Sequence, residues 1–381
     1  MHFGGDVKKS IHEIAMVLAV VCCLSFVTCN RTAPPEVSPK SQVESRPSVP
    51  SASLKEAPLL KFPATVDCNS PAHWDGETLY LFNSAPVPWR SFGKSVFDLV
   101  NAAVTSYNNM ANGGRWIEAT YKDDDGTLYG WYHNEPHPVC PQKESLTAPR
   151  IGAAVSPDNG ANWQDLGFVL EAPADSLFCA TQNHYFAGGN GDFCVMLDAQ
   201  KQHFYFFIST YHKNVSEQGV AVARLAYADR RSPVGKAWKW YQGKWSEPGI
   251  GGHVTPAFPV TTDWNRQDAD AFWGASVHWN THLNQYVMLL NRAVDKDWRQ
   301  EGVYVSFTAQ LENPGLWSIP TTILDRENIL SVPQIGPGWY PQVIGTDSGR
   351  RETDKLAGRV ARLFVHGKSV WEIVFAKPGE V

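Results

Sequence analysis

Four acidic side chains lie in stretches that otherwise read as half-buried strands or strand ends. Asp67 opens Asp67-Cys68-Asn69-Ser70-Pro71, Glu118 is flanked by Ile117 and Ala119, Asp192 follows the run Gly188-Gly189-Asn190-Gly191, and Glu135 lies in His133-Asn134-Glu135-Pro136-His137. A carboxylate among apolar neighbours is poorly explained as a solvated residue, and alternation along Trp116-Ile117-Glu118-Ala119-Thr120 points Glu118 to a polar face. Acids of this kind, if they meet, can divide the labour of glycosidic cleavage. One is protonated and assists the leaving oxygen; another is ionised and attacks carbon or activates water. A third acid close by keeps the donor protonated by like-charge repulsion. The plainer alternative for Asp67 and Asp192 is capping of the adjacent turns.

Separate segments must be brought together for these acids to meet, and the sequence repeats the same device five times: a polar strand, an acidic or Asn/Gly turn, then an aromatic strand. The pairs are Val66–Trp74 with Thr78–Phe82, Arg115–Tyr121 with Thr127–Tyr132, Gly191–Leu197 with His203–Ile208, Phe272–Trp279 with Gln285–Leu290, and Trp339–Ile344 with Arg362–His366. Each reads as a hairpin. Third strands follow at Ile151–Val155, Val220–Ala226 and Gly302–Phe307. Tyr80, Tyr129, Tyr205, Tyr286 and Phe364 recur at roughly 50 to 80 residues, the length of a four-stranded propeller blade with its loops. The expected fold is therefore all-β: a five-bladed β-propeller of four-stranded antiparallel sheets over residues 62–381. Its inner strands converge on one axis, where polar side chains meet one another or a ligand. The fifth blade brings Tyr340 and Gln342 as candidate donors to hydroxyl groups.

The 15 Trp and the 12% aromatic content suit blade-face packing, with a remainder free to stack on sugars. Net charge is −5 without runs of Lys or Arg, which argues against a nucleic-acid partner. Residues 1–29 read as a signal peptide, with Lys8 and Lys9 ahead of an apolar run too short for a comfortable membrane span. Residues 30–61, rich in Pro, Ser, Glu and Lys, read as a disordered tether. Cys68, Cys140, Cys179 and Cys194 allow three disulfide pairings, and export would permit any of them. None has the spacing of a zinc site, so no metal is assigned.

Three stretches carry resemblances. Ser156-Pro157-Asp158-Asn159-Gly160-Ala161-Asn162-Trp163 resembles the Asp box of sialidase-like propellers, a structural turn. Phe26-Val27-Thr28-Cys29 resembles the cleavage box of bacterial lipoproteins, which implies lipid attachment at Cys29, a membrane partner through that anchor alone, and a periplasmic or cell-surface location. Asp67 to Pro71 resembles the opening of the five-bladed glycosidases of glycoside hydrolase families 43, 32 and 117, which implies that Asp67 is base or nucleophile and that the partner is a carbohydrate. Glu171-Ala172-Pro173 resembles the segment carrying the general acid in family 43, so Glu118, Glu135 and Glu171 compete for that role. His278 is similar to an axial His that positions water, a cation or a sugar hydroxyl in such enzymes; an axial calcium is compatible with this, and no cofactor is required. His133, Trp74, Trp273 and Trp279 are further candidates for contact with a sugar, and Arg150 suits either a carboxylate or sulfate on an acidic one or a structural ion pair. The alternatives are a non-catalytic, lectin-like propeller, in which Trp74, Trp131, Trp273, Trp279 and Trp339 stack on sugars, and a protein-binding propeller.

Overall fold

The computed structural model describes residues 49–380. The signal segment, Cys29 and most of the expected tether lie outside the described residues. The chain forms five antiparallel sheets arranged as the blades of a β-propeller. Their inner strands are Ala72–Asp75, Trp116–Lys122, Asn190–Leu197, Ala271–Asn280 and Gln342–Gly345, in the order of blades 1 to 5. The expected hairpins are all present, with pairings such as Tyr121 opposite Tyr129 and Gln342 opposite Phe364. The plan of four strands per blade has additions. Blade 3 carries a fifth antiparallel strand, Lys244–Pro248, and Ser106–Tyr107 joins blade 2 in parallel.

The expected tether is corrected at its C-terminal end. Ser51–Lys61 is a strand, the outer strand of blade 5, and pairs antiparallel with Lys368–Ala376. The ring is thus closed by joining the two ends of the described chain. Ala52 and Leu54 pack on the core of blades 4 and 5, while Lys55 and Glu56 face out. Pro58, which suggested disorder, sits at a register break between Glu56 and Leu60, where an edge strand needs no N–H. Its carbonyl accepts from Arg362 Nη2 at 2.7 Å.

Apolar side chains fill each gap between successive blades. Phe82 meets Ile117 and Trp163 between blades 1 and 2; Trp131 meets Phe204 and Phe206 between 2 and 3; Phe207 and Met288 join 3 to 4; Leu289 and Ile373 join 4 to 5; Phe62 and Phe364 stack between 5 and 1 at 4.1 Å. This face-to-face burial is where most of the aromatic content goes, and Trp131 is wholly consumed by it.

The axis is stitched by polar groups. Asn69 Nδ2 donates to the carbonyls of Phe193 and Ala275, both at 2.9 Å, so one amide ties blades 1, 3 and 4. Gln342 clamps Ser70 in both directions, accepting from its N–H at 2.9 Å and donating to its carbonyl at 2.8 Å. The turn Ser156–Trp163 joins the third and fourth strands of blade 2. Asp158 Oδ1 accepts the Asn162 N–H at 2.9 Å, and Trp163 is buried against Phe82.

Candidate active site

Two inner strands are bent where they carry their acids. In blade 2, Ile117 pairs with Tyr132 and Ala119 with Trp131, leaving Glu118 as an extra residue; in blade 3, Gly191 pairs with Ser209 and Phe193 with Ile208, leaving Asp192 extra. These are one-residue bulges, which break the ladder and re-aim a side chain. Asp192 takes a φ of +38°, a conformation that Asp tolerates better than most residues. The glycine before it has a steric reason: a Cβ on Gly191 would lie 2.5 Å from Cε1 of His133.

A cavity of about 250 Å³ opens at this end of the axis, and the carboxylates of Asp67, Glu135 and Asp192 all line it. Trp116, Trp298, Trp339 and Tyr340 supply aromatic walls. His137, Ser145 and Thr147 from one loop, and Tyr185 and Phe186 from another, complete the rim. Those loops are fastened together: the Ala187 N–H donates to the Thr147 carbonyl at 2.8 Å, the Thr147 N–H donates to the Tyr185 carbonyl at 3.1 Å, and Cys140 is disulfide-bonded to Cys179. Cys68 and Cys194, the other two cysteines of the folded part, are buried free thiols.

Burial pushes the Asp67 carboxyl up to about 6, with the charges of Asp192 and Glu135 adding to the rise. Burial likewise pushes Asp192 up to about 7, against the opposing charge of His133. Both oxygens of Asp192 are engaged, Oδ2 by the Tyr211 hydroxyl and Oδ1 by that of Tyr340 at 3.3 Å. His133 joins the remaining acids. Its Nε2 is 3.1 Å from Glu135 Oε1, and its Nδ1 is 3.3 Å from Glu118 Oε1 and 3.1 Å from the amide N of Asp192. Glu118, 1% exposed, also accepts the Phe193 N–H at 2.9 Å. Desolvation raises the Glu118 pKa; it opposes protonation of His133, yet the flanking carboxylates still hold the imidazole above its ordinary value. An Nδ1 that accepts the Asp192 amide carries no proton, so in that state the proton between His133 and Glu118 resides on Glu118.

The structure thus brings Asp67, Glu135, Asp192, His133 and Tyr340 to one cavity and places other expected residues elsewhere. Glu118 is behind His133, without access to the cavity. Glu171 pairs with Arg150 at 3.2 Å, and Arg150 lies 3.6 Å over the Phe168 ring, both outside the cavity wall. His278 is buried beside Phe375, and burial pushes it down to about 3. Gln342 is spent on Ser70. Trp273 is fully buried, 4.7 Å from Trp298, and supports the wall from behind. Trp279 packs on Tyr286 at 4.8 Å, and Trp74 donates its indole N–H to Glu352 O under Arg351. Sequence reasoning missed Trp116, Tyr185, Phe186, Tyr211 and Trp298; the last four come from loops or strand ends that no repeat pattern marks.

Among the described residues two groups bring metal-type donors together, Glu118–His133–Asp192 and Asp175–His212–His253. Neither is arranged as a ligand set. The His133 Nδ1 lone pair is spent on the Asp192 amide. His212 Nδ1 accepts the Asn214 N–H at 2.8 Å, which leaves its proton on Nε2, the atom facing Asp175 and Glu217, and a protonated ring nitrogen binds no metal.

No protein-family model matches the chain, and no curated protein matches it. Similar solved structures include a thermostable family-43 glycoside hydrolase, at 11% identity over 82% of this chain and 91% of that chain with a TM-score of 0.48. The endo-arabinase from Bacteroides thetaiotaomicron is 10% identical over 86% of this chain and 98% of that one, with a TM-score of 0.45. A GH62 hydrolase in complex with xylotriose is 10% identical over 85% and 96% respectively, with a TM-score of 0.46.

Proposed function

We propose that this protein is an exported glycoside hydrolase that removes single neutral sugar units from an oligo- or polysaccharide. The observation that carries the reading is the meeting of Asp67, Asp192 and Glu135, from blades 1, 3 and 2, on one aromatic-walled cavity. Asp67 and Asp192, both raised by burial, are perturbed acids in a cleft, which proton-transfer chemistry requires and a purely sugar-binding site has no use for.

Position assigns the roles. Asp67, ionised above pH about 6, is the base or nucleophile. Glu135 is the proton donor, because Glu171 lies outside the cavity and Glu118 has no access to it. Asp192, with both oxygens held by tyrosine hydroxyls, has none free to meet a leaving oxygen and acts through its charge and its grip on Tyr340. The cavity falls below the ~300–1,000 Å³ typical of sites for larger ligands, which fits one sugar ring. Among the described residues no Lys or Arg lines it, the lining His133 is already engaged by Glu135, and Arg150 is paired to Glu171, which favours a neutral sugar over a uronate or sulfate.

Export is supported by the Cys140–Cys179 disulfide, and lipid attachment at Cys29 would hold the propeller at a membrane surface. A screen of neutral aryl glycosides and oligosaccharides tests the activity. Release of a monosaccharide supports it; binding without turnover supports the lectin-like alternative.

A further inference from the structure

Glu118 is the acid whose position the catalytic roles leave unexplained. Its carboxyl is buried behind the cavity, yet its two oxygens are not equivalent. Oε2 satisfies the Phe193 amide, a task that any amide oxygen would perform, while Oε1 makes no hydrogen bond, and the nitrogen it faces is His133 Nδ1 at 3.3 Å. The opposite nitrogen of the same ring meets Glu135 Oε1 at 3.1 Å. A carboxyl, an imidazole and a second carboxyl therefore form one line from the interior to the cavity wall.

We propose that Glu118 is a positioning residue that stores a proton for Glu135, with His133 as the carrier; this rests on the reading of Glu135 as the proton donor. When Glu135 has protonated the leaving oxygen it is left ionised. The Nε2 proton of His133 then moves to Glu135 Oε1 as the proton on Glu118 Oε1 moves to Nδ1. Only O–H and N–H bonds exchange, no electrons are transferred, and the net change is that Glu118 becomes ionised while Glu135 is restored. The new Nδ1–H faces the Asp192 N–H, donor against donor, which drives the proton back to Glu118 as Nε2 takes one from Glu135, and cavity water then reprotonates Glu135. The charged and titratable groups facing this line are Asp67 and the Cys68 thiol from blade 1 and Asp192 from blade 3, and the acids favour retention of the proton.

The test is Glu118→Gln in the full chain. Its amide oxygen still accepts from Phe193 and its NH₂ takes the place of Oε1 facing His133 Nδ1, so the fold is retained, but it has no acidic proton to give. The expected result is a kcat lower by about 10- to 100-fold, up to the low end of the range for losing an acid–base group outright, with KM within about twofold. The ¹⁵N NMR signals of His133 should stay fixed in the Nε2–H form from pH 5 to 9 in the variant and titrate in the wild type. A variant with an unchanged pH–rate profile, or with His133 signals titrating as in the wild type, overturns the proposal. The NMR measurement needs no substrate, so wild-type protein without turnover would count against the hydrolase reading while His133 still decides the coupling to Glu118.

Discussion

Tyr340, from the start of blade 5, holds its hydroxyl 3.3 Å from Oδ1 of Asp192 in blade 3, across the mouth of the axial cavity. Together with the Tyr211 hydroxyl on Oδ2 this fixes a carboxyl that is buried and close to two other acids. The charge of Asp192 raises the Asp67 carboxyl, and that effect can be measured.

Asp192→Asn removes one of the charges that raise Asp67. The proposed role of Asp67 sets the acid limb of kcat/KM near pH 6 in the wild type, and that limb should move to lower pH in the variant. Asn tolerates the positive φ of this position, so the bulge is kept.

The same substitution has a stability signature with a defined sign. The folded pKa of Asp192 is about 7 against an unfolded value of 3.8, so the native state binds the extra proton, and wild-type stability falls as pH rises from about 4 to about 7. At 1.36 kcal/mol per pKa unit the loss is on the order of 4 kcal/mol. Asp192→Asn should therefore match the wild type in urea unfolding at pH 4 and exceed it above pH 7.

Asn69→Ala tests the axial stitch. It orphans the buried carbonyls of Phe193 and Ala275, and at roughly 1–3 kcal/mol per unsatisfied group the variant should lose about 2–4 kcal/mol in urea unfolding. A loss below 1 kcal/mol would mean that water replaces the amide at the axis.

Replacing Cys140 and Cys179 by Ser should cost about 3–4 kcal/mol, as expected for a closed loop of this size. Because the bridge fastens the loops carrying Ser145, Thr147, Tyr185 and Phe186, steady-state kinetics should show a larger rise in KM than fall in kcat.

How much of this was legible in the sequence depended on whether the determining contacts were local. The five hairpins were readable because alternation and turn residues lie within a few positions of each other. Ser51–Lys61 was not, since its partner Lys368–Ala376 is at the far end of the chain and its Pro and Ser content mimics a tether. Asp67, Asp192, Glu135 and His133 were legible as polar residues in apolar surroundings. The depth of Glu118 was not, because the bulge at that residue shifts the side-chain alternation and leaves no mark in composition. Glu171 and Arg150 looked available only because each conceals the other's partner. The aromatic wall from Tyr185, Phe186 and Trp298 was invisible because it is assembled by loops between blades.

The central claim is that Asp67 performs chemistry in the cavity, and it is tested most directly by comparing the wild type with Asp67→Asn on the neutral glycosides that the wild type binds. Turnover should fall by at least about 10³-fold, near the scale of losing an essential acid–base group, while calorimetry shows sugar binding within a few fold. Equal turnover in the two proteins, or sugar binding by the wild type with no product formed from any bound glycoside, would contradict it.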